Sequence, residues 1–410
     1  MIPIVPLHEA GRVQHKRTWT EPGALRLAAL PPLALYIHVP WCARKCPYCD
    51  FNSHEHPDGA AEIPQDAFFN ALRVDLEAAL PLVWGRRVSA VFFGGGTPSL
   101  LAPATLDAIL GMVRMLLPIE PDAEITLEAN PGTVEAGRFG EFRAVGINRL
   151  SIGVQSFNDA SLKAIGRIHD GRRARLAIEQ AQRSFENFNL DLMYALPGQD
   201  LAAARHDLRV ALEFEPAHLS LYHLTLEPNT VFAKYPPVLP DDDTAAQMQQ
   251  ELQAMLAEAG MAQYEVSAYA RTGRRCRHNL NYWNFGDYLG IGPGAHSKLS
   301  FAQRIVRQAR YRQPDTYLER AARAETLIAE EHEVSARDVA FEFMLNALRL
   351  VEGVPLARFG ERTGQSLDVL RAPLARAESA GLIERDHVTL KPTARGLLFL
   401  NDLQALFLPE

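Results

Sequence analysis

The chain has 410 residues, 47% hydrophobic and 22% charged, with a formal net charge of −7. This is the composition of an ordinary globular protein, long enough to bury a core without disulfide staples and too acidic for a general nucleic-acid binder. No run of 18 apolar residues marks a membrane span, and the opening MIPIVPLHEAGRVQHKRTWT lacks the charged head and apolar core of a secretory signal.

Residues 1–32 read as an irregular extension with no assigned function. From Leu33 to Leu224, short apolar runs alternate with helical patterns. The strand candidates are LALYIHV (33–39), VSAVFFG (88–94), EITLEAN (124–130), INRLSIG (147–153), FNLDLMY (188–194) and HLSLYHL (218–224). Amphipathic stretches lie between them at 68–80, 106–117 and 201–214. Six strands alternating with helices predict a parallel sheet with right-handed crossovers. The fold class is α/β, a partial (β/α) TIM-type barrel whose functional residues gather at the C-terminal strand ends. A doubly wound sheet is the alternative. YPPVLPDDD (235–243) reads as a linker, which sets a barrel at 33–240. A helix at 244–259 and a Gly- and aromatic-rich stretch at 264–297 follow, in a region (241–330) that completes the barrel. Residues 331–410 carry a helix at 336–350, short helices, then a hairpin and a final helix in GLIERDHVTLKPTARGLLFLN (381–401), a winged-helix-like pattern. Winged helices often bind DNA, but no basic recognition helix is visible here, so no nucleic-acid partner is expected.

Of the four cysteines, three sit in YIHVPWCARKCPYCDFNSH (36–54), directly after the first strand. Clustered thiols in a cysteine-poor chain point to a metal and a reducing compartment, read here as the cytoplasm. The spacing C-x3-C-x2-C lets Cys42, Cys46 and Cys49 ligate three irons of a [4Fe–4S] cubane and leaves the fourth iron open. A Cys3His zinc site using His38, His54 or His56 and a redox CxxC are the competing readings. FFGGGTPSL (92–100) runs a strand into a Gly-rich turn, where glycines allow close approach and exposed amides could hold a ligand's carboxylate or shield its amine. Glu128, Gln155, Arg167 and Asp191 then fall in or just beyond successive strands. Individually each reads as a cap or surface ion pair; together they offer acid, amide and guanidinium groups to a polar ligand.

The cysteine spacing after the first strand resembles the radical S-adenosylmethionine superfamily. Across roughly residues 33–400 the strings resemble the family of oxygen-independent coproporphyrinogen III oxidases and their heme-chaperone relatives. The resemblance implies that S-adenosylmethionine chelates the open iron and is cleaved to a 5′-deoxyadenosyl radical. It implies that Gly95, Gly96 and Thr97 contact the methionine amino group, and that Glu128, Gln155, Arg167 and Asp191 complete the cofactor site. It also implies that Tyr36 and Tyr48 pack near cluster and cofactor.

Two features separate the branches. The oxidases carry a further cysteine two residues after the third, and here that position is Phe51, which cannot ligate iron or relay a proton. CRHNLNYW (276–283) resembles a signature of the heme-chaperone branch, with His278 as the candidate heme ligand and Tyr282 and Trp283 as packing partners. A histidine satisfied by a hydrogen bond in an aromatic loop is the bland reading of the same string. Cys276 reads as an inert buried thiol or a second heme-side ligand. GDYLGIGPGAHS (286–297) reads as another Gly-rich turn, with His296 on the open side of the barrel. The resemblance therefore implies heme binding and delivery to an acceptor protein, a respiratory one among the candidates, with an electron donor and a homodimer as further expected partners. Oxidative decarboxylation of coproporphyrinogen III is the alternative.

Overall fold

The computed structural model describes residues 25–56, 63–132 and 136–409; the reading of residues 1–24 lies outside them. The main sheet has twelve strands. They are β1 (Leu33–Val39), β2 (Val88–Gly95), β3 (Ile119–Ala129), β4 (Arg149–Gln155), β5 (Phe188–Tyr194), β6 (His218–His223), β7 (Ala262–Glu265), β8 (Ala268–Ala270), β9 (Asp287–Ile291), β10 (His296–Phe301), β11 (Arg304–Arg310) and β12 (Ile328–Glu333). Their order is β12-β11-β10-β9-β1-β2-β3-β4-β5-β6-β8-β7.

All six expected strands form, and each pairs in parallel with the next. β1 to β6 follow one another across the sheet without a reversal of direction. A doubly wound sheet needs such a switch point, so the partial barrel stands. Parallel strands covered on both faces read as continuous apolar runs, and LALYIHV is buried at every position but Tyr36. The crossover helices include α1 (Gln65–Ala79), α2 (Pro103–Leu116), α3 (Gly171–Ser184) and α4 (Leu201–Glu213). Asp170 and Asp200 cap α3 and α4 by accepting from the Arg173 and Ala203 amides.

A seventh parallel strand was not expected. β9 pairs with β1 on the side away from β2, although its residues, DYLGI, fall in the stretch read as a Gly-rich turn. Its Asp287 is fully buried, taking Lys298 at 2.9 Å and Arg86 at 2.8 Å, so strand character is masked by an ion-pair network. Between β8 at one margin of the barrel and β9 beside β1 runs α5 (Arg277–Trp283), which closes the floor at the N-terminal strand ends.

A second core gathers the C-terminal helices, Ala336–Ala347, Ala357–Thr363 and Arg371–Ser379, around Phe343, Met344, Phe359 and Leu374. A small sheet of Val354–Pro355, Thr389–Pro392 and Ile383–Arg385 and two short final helices complete it. Leu25 and Leu27 belong to this core; the Leu25 and Leu27 amides donate to Gln303 and Ala302. No helix among the described residues is long and apolar enough to cross a membrane.

Candidate cluster and cofactor site

The cysteine loop leaves β1 and is cinched at its base. Trp41–Cys42 pairs in parallel with His54–Glu55, and the His54 and His56 amides donate to Pro40 and Cys42. Inside, Lys45 Nζ donates to the Ser53 carbonyl at 2.9 Å. His38 joins loop to barrel: Nε2 meets the Asn52 carbonyl at 2.9 Å and Nδ1 meets the Tyr36 hydroxyl at 2.8 Å. Burial lowers the His38 imidazole to about 4, so the ring is neutral.

Each sulfur has a polar side chain within 4 Å. Thr97 Oγ1 donates to Cys42 Sγ at 3.6 Å, Arg167 Nη1 donates to Cys46 Sγ at 3.7 Å, and Ser53 Oγ lies 3.8 Å from Cys49 Sγ. Burial pushes the Cys42 thiol up to about 11 against the pull of Thr97, and raises Cys49 as well, so loading with iron would release protons. A single zinc ion would need sulfurs within about 3.8 Å of one another. Among the described residues only one trio of ligand atoms converges within 4.8 Å, and it lies elsewhere. Both nitrogens of His38 are engaged and His54 faces Asn52; His56 Nδ1 is buried without a partner, but no three ligand atoms of this loop converge, so its sulfurs are not gathered around a single zinc ion. Three part-exposed thiols on one loop, each with a hydrogen-bonding neighbour, fit a cubane.

The glycine turn zips onto this loop. The Gly96 and Thr97 amides donate to Val39 and Trp41, and the Gly95 amide donates to Glu128 Oε2 at 3.2 Å. All three amides are therefore spent internally, which corrects the expectation that they face a ligand; the turn can offer an ammonium only carbonyl oxygen. The glycines are required sterically. A Cβ on Gly95 (φ +112°) would meet the His38 ring at 2.5 Å, and one on Gly96 would meet the Trp41 carbonyl at 2.5 Å.

The polar residues form a shelf around this turn. Burial first, and then Asp191, raise the Glu128 carboxyl to about 8. Asp191 accepts from Ser151 at 3.1 Å and Asn189 at 2.7 Å, and burial raises it too. Arg167 Nη2 donates to Asn130 Oδ1 at 2.5 Å and to the Gly153 carbonyl at 2.6 Å. Gln155 ends β4 with a left-handed φ of +66°, which turns its side chain back toward Gly153. Tyr36 stacks on Phe92, and burial raises its hydroxyl well above the ordinary range. Tyr48 packs against Phe232 beside Cys46 and Arg167. Asn130, which the sequence reading passed over, links the set: it accepts from Arg167 and donates to Thr97 Oγ1 at 2.9 Å. Its only signal was its place at the end of a strand before Pro131.

His278 is not part of this shelf. It sits on the floor helix α5, 6% exposed, with its ring stacked on Phe92 at 4.0 Å. Nδ1 lies 3.3 Å from Glu124 Oε1 and 3.1 Å from Cys276 Sγ. Glu124 precedes Glu128 by four residues along β3, about 13 Å in a strand. Trp283 is packed into the second core with the Arg349 guanidinium 4.3 Å over its ring, and Tyr282 meets Tyr288 edge-on at 4.6 Å. Neither aromatic is free to stack on a macrocycle while α5 stays in place. His296 is exposed at the start of β10.

The Radical SAM superfamily model matches residues 36–211, and the HemN C-terminal domain model matches residues 334–399. The chain is 47% identical to the heme chaperone HemW of Escherichia coli over 386 residues, covering 94% of this chain and 100% of that one. It is 36% identical to the Mycobacterium tuberculosis (H37Rv) heme chaperone HemW over 379 residues, 91% of this chain and 94% of that one. It is also 36% identical to the mitochondrial radical S-adenosyl methionine domain-containing protein 1 of Bos taurus, over 90% of this chain and 86% of that one. Among solved structures, the coproporphyrinogen III oxidase HemN of Escherichia coli superposes with a TM-score of 0.78 at 23% identity, over 92% of this chain and 90% of that one. That likeness establishes the fold.

Proposed function

Starting from a chain that belongs to the HemW family of radical SAM proteins, we propose that it binds heme and passes it to an acceptor protein, and that it does not oxidise coproporphyrinogen III. The observation that carries the reading is Phe51. Two residues beyond Cys49 it stands 53% exposed on the cluster loop, where a benzyl side chain offers apolar surface and no acid, base or ligand.

We assign the cluster to Cys42, Cys46 and Cys49, and S-adenosylmethionine to the shelf of Glu128, Gln155, Arg167 and Asp191 with the turn at Gly95–Thr97. When bound, the cluster supplies an electron for reductive cleavage of the sulfonium. The chain's own residues set the surroundings. Arg167 holds a positive charge against Cys46, Asn130 fixes Arg167 to Thr97, and Thr97 in turn donates to Cys42. Tyr36 and His38 lock the base of the loop to β1. Glu128 and Asp191 place two carboxyls where a cationic ligand would favour their ionised forms.

The mouth of the barrel suits a flat apolar ligand. Phe51, Ile168, Val231, Tyr235 and Val238 are exposed on the cluster loop and the segments that follow β4 and β6. His278 remains the heme ligand that the family implies, on the condition that α5 swings away from Phe92 and Glu124. The test is an anaerobic pair of measurements on cluster-loaded protein. Hemin titration is expected to saturate near one heme per chain. Incubation with coproporphyrinogen III, S-adenosylmethionine and a reductant is expected to yield no protoporphyrinogen; turnover would sink the chaperone reading.

A further inference from the structure

Gln155 leaves β4 through an uncommon turn. The Ser156 amide donates to the Val154 carbonyl at 2.9 Å, which closes a three-residue γ-turn with Gln155 at its apex and φ at +66°. The positive-φ form of that turn is rare and strained, so it persists only where the surroundings fix it. The turn brings the amide into the shelf. A Cβ on Gly153 would lie 3.0 Å from Gln155 Nε2, 3.3 Å from Arg167 Nη2 and 3.4 Å from Asn130 Oδ1, so these three polar groups stand together.

A carboxylate from a neighbouring helix fixes the turn. Asp207, 3% exposed on α4, accepts from Ser156 Oγ at 2.6 Å through Oδ2 and from the Phe157 amide at 2.7 Å through Oδ1. One side chain thus grips both residues that directly follow Gln155. We propose that Asp207 is a positioning residue for the cofactor: it holds the γ-turn that aims the Gln155 amide, a role that rests on the assignment of S-adenosylmethionine to the shelf.

A buried carboxylate needs a reason. Ser156, the Phe157 amide and Gln199, which donate to Asp207, are neutral, and burial raises its carboxyl against the pull of Ser156 and Phe157. Neither neighbouring helix needs it as a cap. Asn158 caps the short helix Asp159–Ala164 by accepting from the Ser161 amide, and Asp200 caps α4. Asp207 reaches two strand ends instead. Gln199 Nε2 donates to Oδ2 at 3.5 Å, and Gln199 Oε1 accepts from the Leu196 amide at 3.1 Å. Leu196 follows Ala195, which leaves β5 with φ at +56°. Of β1 to β6, only β4 and β5 end on a non-glycine residue of positive φ, and Asp207 braces the turn after each.

General support of the fold is the competing role for such a carboxylate. The two roles differ in how Asp207 and Gln155 combine. If Asp207 acts through Gln155, removing both costs no more affinity than removing Gln155 alone; independent contributions multiply. Arg167, the charged donor of the shelf, is held by Asn130 and the Gly153 carbonyl without Asp207, so the coupling singles out Gln155.

The test is a double-mutant cycle on full-length protein with its cluster reconstituted, with S-adenosylmethionine affinity read by anaerobic calorimetry. Gln155→Ala and Asp207→Ala are each expected to weaken binding about tenfold, and the double variant also about tenfold. A loss of about a hundredfold in the double variant, or full affinity in Asp207→Ala, would overturn the proposal. Asp207→Asn keeps an acceptor for the Phe157 amide and a polar partner for Ser156, and is expected to stay within about threefold of wild type. A loss as large as that of the alanine variant would mean that the charge itself acts on the cofactor, and would overturn the positioning role. If Asp207→Ala does not fold, Ser156→Ala takes its place in the cycle and cuts one of the two grips. A smaller loss is then expected in wild type and none in the Gln155→Ala background, where any further loss counts against the proposal. Full affinity in Gln155→Ala would mark the failure of the cofactor assignment, and the role of Asp207 falls with it. Additivity on top of a measured Gln155 effect sinks the role of Asp207 alone.

Discussion

Arg167 points one arm of its guanidinium at the Cys46 sulfur, 3.7 Å away, while the other arm is held by Asn130 and the Gly153 carbonyl. The charge is thus fixed against a cluster ligand by two residues that contact no cysteine. A positive charge beside a ligating sulfur favours the reduced, more negative cluster. Arg167→Met keeps the stem and removes the charge. The midpoint potential is expected to fall by roughly 60 mV, a tenfold change for a one-electron couple. Protein-film voltammetry would check it, and a potential unchanged within a few millivolts would remove Arg167 from the tuning set.

Glu128 titrates near 8 because burial, then Asp191, opposes its charge, and only the Gly95 amide favours it. Its ordinary value is near 4.5, so the folded chain binds a proton more tightly than the unfolded chain. That contribution to stability is full below about pH 4.5 and is lost as pH rises through 8. A sulfonium ligand reverses the preference, because its positive charge favours the carboxylate. S-adenosylmethionine binding at pH 7 is therefore expected to release a proton from wild type and none from Glu128→Gln. Calorimetry in two buffers of different ionisation enthalpy reads this directly. Equal proton release from both proteins would place the cofactor elsewhere.

Gly96→Ala tests the seam between turn and loop. The added methyl would sit 2.5 Å from the Trp41 carbonyl, a backbone atom that cannot rotate away. The expected cost is about 2 kcal/mol of overpacking, together with loss of register between the turn and the cysteine loop. Iron content per chain after reconstitution should fall by more than half. Gly85→Ala serves as the control: nothing lies within 4 Å there, and only its φ of +73° is strained.

The shelf was legible because each of its residues ends or follows a strand of a pattern that the sequence displays plainly. Cys42, Cys46, Cys49, Thr97 and Arg167 do come together, since a parallel barrel delivers its strand ends to one face. Three things were not legible. β9 carries a buried Asp287 whose partners, Lys298 and Arg86, are supplied from other elements, so its strand pattern is broken in sequence. Asn130 matters only through its two partners, which lie 33 and 37 residues away. His278 carries a string that suggests an open site, yet it is folded under Phe92 because α5 closes the floor. Separation in the chain hid each of these, and no local periodicity encodes it.

Gln155 holds φ at +66°, a left-handed conformation that costs a non-glycine residue about 1 kcal/mol. Gln155→Gly relieves that strain and deletes the amide. The two effects should separate. Thermal stability of the metal-free chain is expected to rise by a few degrees, while affinity for S-adenosylmethionine falls about tenfold for one lost hydrogen bond. Lower stability with unchanged affinity would mean that the amide supports the fold and does not face the ligand.

Glu124 gives the clearest stability prediction, because one of its carboxylate oxygens gathers four donors, the Cys276 thiol at 3.5 Å among them. Oε1 accepts from the Arg277 and His278 amides and from the His278 ring, while Oε2 lies 3.9 Å from the buried Arg149. Burial would raise this carboxyl, but the His278 hydrogen bond and the Arg149 charge outweigh it and hold it at about 2. A depressed carboxyl contributes stability above its unfolded value, near 4.5, and loses it as pH falls toward 2. Glu124→Gln is nearly isosteric and neutral, so it keeps the capping oxygen and leaves Arg149 without an opposing charge. The expected loss in metal-free protein at pH 7 is roughly 3 kcal/mol, as for breaking other buried pairs. An ordinary exposed cap such as Asp170→Ala should cost about 1 kcal/mol. Urea midpoints at pH 7 and pH 3.5 separate the two: the gap between wild type and Glu124→Gln should narrow in acid. A gap that is already absent at pH 7 would mean that Arg149 finds its counter-charge elsewhere in the lumen, and that the charge of Glu124 does not hold the floor of the barrel closed.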